Sequence, residues 1–402
     1  MRNDLKSTTL QLLGYCRDND WAGYEPYDAL NSPLVENSKI LNSPIPRLVL
    51  TQFLKRSPVN VRNILRIPKT QNPKAIGLFL SGLVNLARLG LPECDADISY
   101  LIDRARALRS DNPNYWCWGY NFPWQGRAVY TPRWDPNLVC TNFAASGLLD
   151  VYEWNNDNNL LSMAKSSAEY ILNELYWEKG DVCGFAYPMP TTRGHVHNAN
   201  LLAAALFCRI FKLTGDEKFL EPALKAARYT VQQQFPDGRW EYGQGAHQNW
   251  VDNFHTGFNL GALRMIGQYL GTSEFEPALK KGFQFYREHF FREDGAVRYY
   301  HDRTYPIDTH CVAQSIITLV DLANLDVSNL DLANSVLDWA MQHMWSTKKH
   351  YFYYRVLRSC TIRTSYMRWT QAWMFLSLSM LMRAVESQPA PQAPAIAGVA
   401  SC

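Results

Sequence analysis

Val251-Asp252-Asn253-Phe254-His255 is a short polar cluster at the head of a long apolar run, and four more clusters of its kind occur along the chain. They are Val139-Cys140-Thr141-Asn142, Val196-His197-Asn198, Ile307-Asp308-Thr309-His310 and Arg368-Trp369-Thr370-Gln371. Their period, roughly 55 to 60 residues, marks a repeat architecture. The third residue of each cluster (Thr141, Asn198, Asn253, Thr309, Thr370) carries a side chain that can accept from the free amides of a helix's first turn, and is read as the N-cap. Behind the caps come runs such as 200–207 and 313–320, too apolar around their circumference for a helix with one face in water. These predict buried helices.

About four residues beyond each buried helix lies a second one with a polar face, as over 216–234 and 274–291. Aromatic stretches at 235–242, 292–299 and 350–354 then read as short hairpins leading back to the next cluster. Counted along the whole chain, inner helices fall near 73–89, 136–153, 197–213, 252–270, 308–324 and 370–386. Outer helices fall near 94–109, 157–176, 216–234, 274–291 and 329–345. The six inner helices make a ring, whose last outer partner comes from 5–17 or from 46–55. No strand-helix alternation is present, which excludes a β/α barrel.

In this architecture the chain resembles the six-hairpin (α/α)6 toroids, all-α proteins that include unsaturated glucuronyl hydrolases, polysaccharide lyases and N-acylglucosamine epimerases. Arg368-Trp369-Thr370-Gln371-Ala372-Trp373 is similar to a Trp/Arg/Gln-Ala-Trp stretch of the glucuronyl hydrolases. Trp21-Ala22-Gly23-Tyr24-Glu25-Pro26-Tyr27-Asp28 and Tyr115-Trp116-Cys117-Trp118-Gly119-Tyr120 resemble an uncharacterised family from bacterial exopolysaccharide gene clusters. The resemblance implies a carbohydrate-active protein of polysaccharide production or turnover.

The repeat runs without a linker-like break, so residues 1–386 read as one domain, with 1–72 closing or covering the ring. The Pro- and Ala-rich residues 387–402 read as a disordered tail. A formal charge of +3 with dispersed Lys and Arg gives no basic stripe for nucleic acid. No run of 18 uncharged apolar residues predicts a membrane span, and the first residues lack the apolar core of a secretory signal. Nine cysteines with no CxxC pair fit a cytoplasmic protein. Asp308, His310 and Cys311 supply two comfortable zinc ligands where three or four are needed, so neither a metal nor another cofactor is expected.

In such a ring the amino ends of the inner helices point to one mouth. Aromatic residues make up 13% of the chain, many of them in loops, and sugar rings stack on aromatic planes while their hydroxyls seek polar partners. The expected substrate-binding residues are Trp116, Trp118, Tyr120, Trp124, Arg133, Asn142, His195, His197, Asn200, Trp250, Tyr305, Tyr366, Arg368 and Gln371. Helix amino ends and loop arginines favour an anionic ligand, hence an acidic oligo- or polysaccharide, with other polysaccharide-assembly proteins as further candidate partners.

Asp252 and Asp308 occupy equivalent positions on consecutive inner helices. As packed helices lie roughly 8 to 10 Å apart, the two carboxylates are candidates for the acid and base of glycoside hydrolysis. The bland reading is that each merely caps a helix. His255 and His310, with Tyr305 or Tyr366 and an arginine, offer instead the base, acid and charge neutraliser of a uronate lyase or C5-epimerase. A saccharide-binding or assembly factor without chemistry is the reading from a different class.

Overall fold

Asn72 shows how each turn of the ring begins. Its side chain accepts from the amides of Lys74 and Ala75, and Pro73 follows where no amide proton is needed. The computed structural model describes residues 2–91, 94–126 and 129–386; the expected tail at 387–402 lies outside them. Its helices are α1 (Arg2–Asp18), α2 (Pro33–Glu36), α3 (Pro44–Arg56), α4 (Pro73–Arg88), α5 (Cys94–Ala107), α6 (Leu138–Asn155) and α7 (Asn158–Tyr170). They continue as α8 (His197–Thr214), α9 (Leu220–Gln232), α10 (Asn253–Leu270), α11 (Glu276–Phe290), α12 (Thr309–Asp321), α13 (Asn329–His343) and α14 (Trp373–Glu386).

Helices α4, α6, α8, α10, α12 and α14 touch in that cyclic order, and α14 returns to α4, closing the ring. Helices α5, α7, α9, α11 and α13 each pack outside the inner helix that precedes them, and α1 packs on α14 as the sixth outer helix. The fold is the (α/α)6 toroid. The alternative donor at 46–55 belongs to α3, which packs beside the N-terminal segment. Inner helices are buried along most of their length because neighbours cover them on every side, which is why they carry no polar stripe. The closest approach is between α4 and α6, where a Cβ on Gly77 would meet the Phe143 carbonyl oxygen at 2.1 Å.

The helix starts correct one expectation. Thr141, Asn198, Asn253, Thr309 and Thr370 lie inside their helices, and the caps stand earlier in the chain. Asn137, Asp252 and Asp308 are extended residues whose side chains accept from the amides of Cys140, His255 and His310 respectively. Val196 precedes α8 without a side-chain cap, and 367–372 form a π-helical turn before α14. Two of the clusters' third residues tie elements together: the Asn253 amide donates to Ser315 Oγ, and Thr141 Oγ1 holds both backbone groups of Trp118.

The strands are short: β1 (Trp124–Gln125), β2 (Tyr130–Thr131), β3 (Tyr176–Lys179), β4 (Val182–Phe185), β5 (Ile307–Asp308), β6 (Trp345–Ser346), β7 (Tyr351–Phe352), β8 (Arg355–Val356) and β9 (Thr361–Ile362). Antiparallel pairs β1–β2, β3–β4 and β6–β7 accompany a three-stranded β5–β8–β9 sheet. Of the expected hairpins, 350–354 contributes β7, whereas 235–242 holds no strand and 292–299 is closed by one bridge between Phe291 and Val297. Hairpin β3–β4 begins at Tyr176, where the outer helix expected near 157–176 ends. Among the described residues, no helix is long and apolar enough to cross a membrane.

Candidate functional site

Asp252 caps α10 with one oxygen and turns the other toward its own helix. The carboxylate accepts from the His255 amide at 3.0 Å, from His255 Nδ1 at 2.7 Å and from Trp250 Nε1 at 3.1 Å. A proton fixed on Nδ1 by the carboxylate leaves His255 Nε2 with a lone pair for an incoming proton. Asp252 is buried while the His255 side chain is 21% exposed, so the imidazole is the accessible member of the pair. Trp250 stacks on Tyr242 at 4.5 Å, and Tyr242 lies against His255 at 4.6 Å.

His310, in the first turn of α12, is fully buried with neither ring nitrogen hydrogen-bonded among the described residues. It is stacked between Phe254 at 4.5 Å and Trp373 at 4.6 Å, with Trp369 edge-on at 4.8 Å. His255 approaches the same Phe254 ring at 4.1 Å, so the two imidazoles share a neighbour. Burial, and then the positive charges of Lys74 and Arg368, push the His310 pKa well below its ordinary value and keep it neutral.

Lys74 was not expected here. It is buried in the first turn of α4, its ammonium over the rings of Phe143, Trp373 and Phe258 at 4.3, 5.2 and 5.5 Å. It has no hydrogen-bond acceptor among the described residues. Desolvation, and then Arg368, lower its pKa well below the lysine range. The signal was a single Lys in the otherwise apolar 73–80 run, which reads as snorkelling when burial is unknown.

Arg368 projects from the π-helical turn and is clasped by Glu25, with Nη2 to Oε2 at 2.8 Å and Nε to Oε1 at 3.1 Å. Tyr120 and Phe122 lie beneath the guanidinium, and Tyr187 is a neighbour of Tyr120. Glu25 belongs to a strap, residues 19–32, that reaches the π-helical turn through this ion pair. Arg62 holds Asp28 at 2.8 Å and the Glu25 carbonyl at 2.9 Å. Lys55 of α3 donates to the Tyr27 hydroxyl at 2.6 Å, and the Tyr27 ring stands edge-on to Trp369 at 5.7 Å.

The other expected residues divide. Trp250, Tyr120, Arg368, His255 and His310 meet at the mouth, and Trp124 lies near the strap's Tyr27 at 6.4 Å. Asn142 and His197 are buried in early turns of α6 and α8, with Asn142 Oδ1 and His197 Nδ1 lacking partners among the described residues. Burial drops the His197 pKa to about 4. Asp308 is equivalent to Asp252 in sequence and unlike it in space. Both its oxygens are taken, by Arg355 at 2.8 and 2.6 Å, by Trp369 Nε1 at 2.9 Å and by the His310 amide at 2.9 Å.

The structure gives several of the expected ligands of substrate other work. Trp118 is wholly buried with its indole on the Ala105 carbonyl, and Gln371 pins both backbone groups of Phe352. Tyr366 is buried against Tyr354, under Arg62. Asn200 accepts from the Phe185 amide and approaches His195, whose ring packs on Tyr229 at 4.3 Å. Arg133 is exposed and 3.9 Å from Glu36, Tyr305 is exposed, and Trp116 lines an outer cleft with Arg106 and Arg109. Each sits in a loop that sequence alone could not distinguish from a mouth loop. Among the described residues no three His, Cys, Asp or Glu side chains gather as a metal set.

No protein-family model matches the chain, and no curated protein matches it in sequence. Solved structures match its fold. Cellobiose 2-epimerase from Bacillus thermoamylovorans is 10% identical with a TM-score of 0.60, covering 78% of this chain and 87% of its own. A sugar epimerase from a ruminal bacterium is 14% identical, TM-score 0.59, covering 79% and 88%. The α-mannanase of Bacteroides thetaiotaomicron is 12% identical, TM-score 0.60, covering 80% and 87%. The fold they share with this chain is that of the six-hairpin toroids.

Proposed function

We propose that this protein is an enzyme on acidic saccharides of exopolysaccharide production or turnover, acting in the cytoplasm, and that it epimerises by moving the proton on the carbon beside a carboxylate. The observation that carries this reading is the Asp252–His255 hydrogen bond of 2.7 Å, which aims a base into the mouth near a neutral His310 and the Arg368 guanidinium. In the step, His255 Nε2 takes the proton from carbon. The electron pair moves into the adjacent carboxylate, where Arg368 neutralises the developing charge. A proton delivered to the opposite face from solvent completes the inversion, and the proton held by His255 returns to solvent.

Support also comes from neighbours in fold that are named as epimerases. The paired-carboxylate reading is less favoured, because Asp308 has no free oxygen to offer as acid or base. The test is incubation with uronate oligosaccharides in deuterium oxide. Deuterium entering beside the carboxylate, and lost in His255→Gln, is the expected result. Ultraviolet absorbance of unsaturated uronate would reassign the same site as a lyase. New reducing ends without exchange would overturn proton transfer in favour of hydrolysis, and saccharide binding with no chemistry would leave a binding protein.

A further inference from the structure

A groove of about 470 Å³ opens on the outer surface beside the strap, away from the mouth residues. Its walls include Tyr24 of the strap, Tyr15 of α1, Tyr351 of β7, and the cations Lys69, Lys349 and Arg363. No Asp or Glu lines it. All three cations are exposed, and none pairs with a carboxylate among the described residues. Lys69 donates only to Asn19 Oδ1 at 3.3 Å, and Arg363 lies 5.5 Å from the Tyr353 ring.

Several cations elsewhere on the surface have carboxylate partners, such as Lys165 with Asp216, Lys225 with Glu178 and Arg228 with Glu274. Three like charges gathered without a counter-charge repel one another, and an anionic ligand relieves that repulsion. The Tyr15 and Tyr351 rings, 5.1 Å apart, add apolar faces of the kind sugars stack on. Its volume lies in the range of small-molecule sites.

We infer that this groove is a second, external binding site for an acidic saccharide chain, with Lys69, Lys349 and Arg363 taking its carboxylates. The ligand class rests on the saccharide reading above. Tyr24 and Met367, both in the groove wall, are the chain neighbours of Glu25 and Arg368, so an occupant lies against the back of that clasp.

The experiment is calorimetric titration of the full chain with a galacturonate hexamer, a neutral glucose hexamer and oligo-dT, in His255→Gln so that no turnover intervenes. Binding of the galacturonate alone, weakened about tenfold or more in a Lys349→Ala/Arg363→Ala variant of unchanged melting temperature, is expected. It should also weaken as salt rises. Equal binding by the double variant, equal binding of the neutral hexamer or of oligo-dT, or no binding would overturn the inference. Deuterium exchange into a uronate monosaccharide tests the mouth separately. If exchange is absent while hexamer binding still requires the two cations, catalysis falls and the groove stands.

Discussion

Asp252 and Asp308 look alike in sequence and differ in what surrounds them, so their substitutions should part company. Asp308→Asn leaves the buried Arg355 without its counter-charge. A loss of roughly 3–5 kcal/mol is expected, read as a lowered melting temperature. Asp252→Asn keeps the cap but frees the His255 tautomer, so it should fold and lose exchange activity, by about a hundredfold or more. Equal melting losses in both variants would refute the distinction. Lys74 makes a third case. Its side chain is buried beneath three aromatic rings, so Lys74→Met removes an unfavourable desolvation and should melt at the same temperature or higher. A marked fall in melting temperature would mean that the three aromatic contacts outweigh the burial of the charge.

At the scale of an element, the strap carries two carboxyls whose protons are held more tightly when it is docked. Burial raises Glu25 to about 7 against the opposing pull of Arg368, and raises Asp28 to about 6 against Arg62. Ordinary values are 4.5 and 3.8. A raised pKa in the docked state favours docking fully below the ordinary carboxylate range, and that contribution is lost as pH rises through about 6 and 7. Amide exchange over residues 23–31, corrected for the intrinsic rate, should therefore show weaker protection at pH 7.5 than at pH 5. Glu25→Gln should flatten most of the difference, and a wild type equally protected at both values would contradict this account. Release of Glu25 also frees Arg368 for a substrate carboxylate, which links the strap to access.

For the whole molecule, closure of the ring rests on helices that touch without intervening side chains. A Cβ at Gly77 meets the Phe143 carbonyl at 2.1 Å, and one at Gly147 meets the Gly77 carbonyl at 2.4 Å. Gly77→Ala must push α4 and α6 apart and should cost about 1–3 kcal/mol or more, measured by denaturant unfolding. Unchanged stability would show that the ring yields locally without strain.

The six inner helices and their outer partners were legible in the sequence because helix formation and amphipathicity are local: a cap, an apolar run and a polar face lie within one stretch of chain. Asp252 and His255, three residues apart, were both singled out from sequence but in different readings, Asp252 with Asp308 and His255 with His310, and their hydrogen bond emerged only in the structure. The rest of what only the tertiary structure decided was long-range. Arg355 reaches Asp308 across 47 residues and removes it from the chemistry, and Arg368 meets Glu25 across 343. Trp118, Gln371 and Tyr366 carry residue types that suit a sugar site, and burial gives them to the core. Lys74 became a candidate only when the ring closed over it, because desolvation depends on neighbours that no local pattern records.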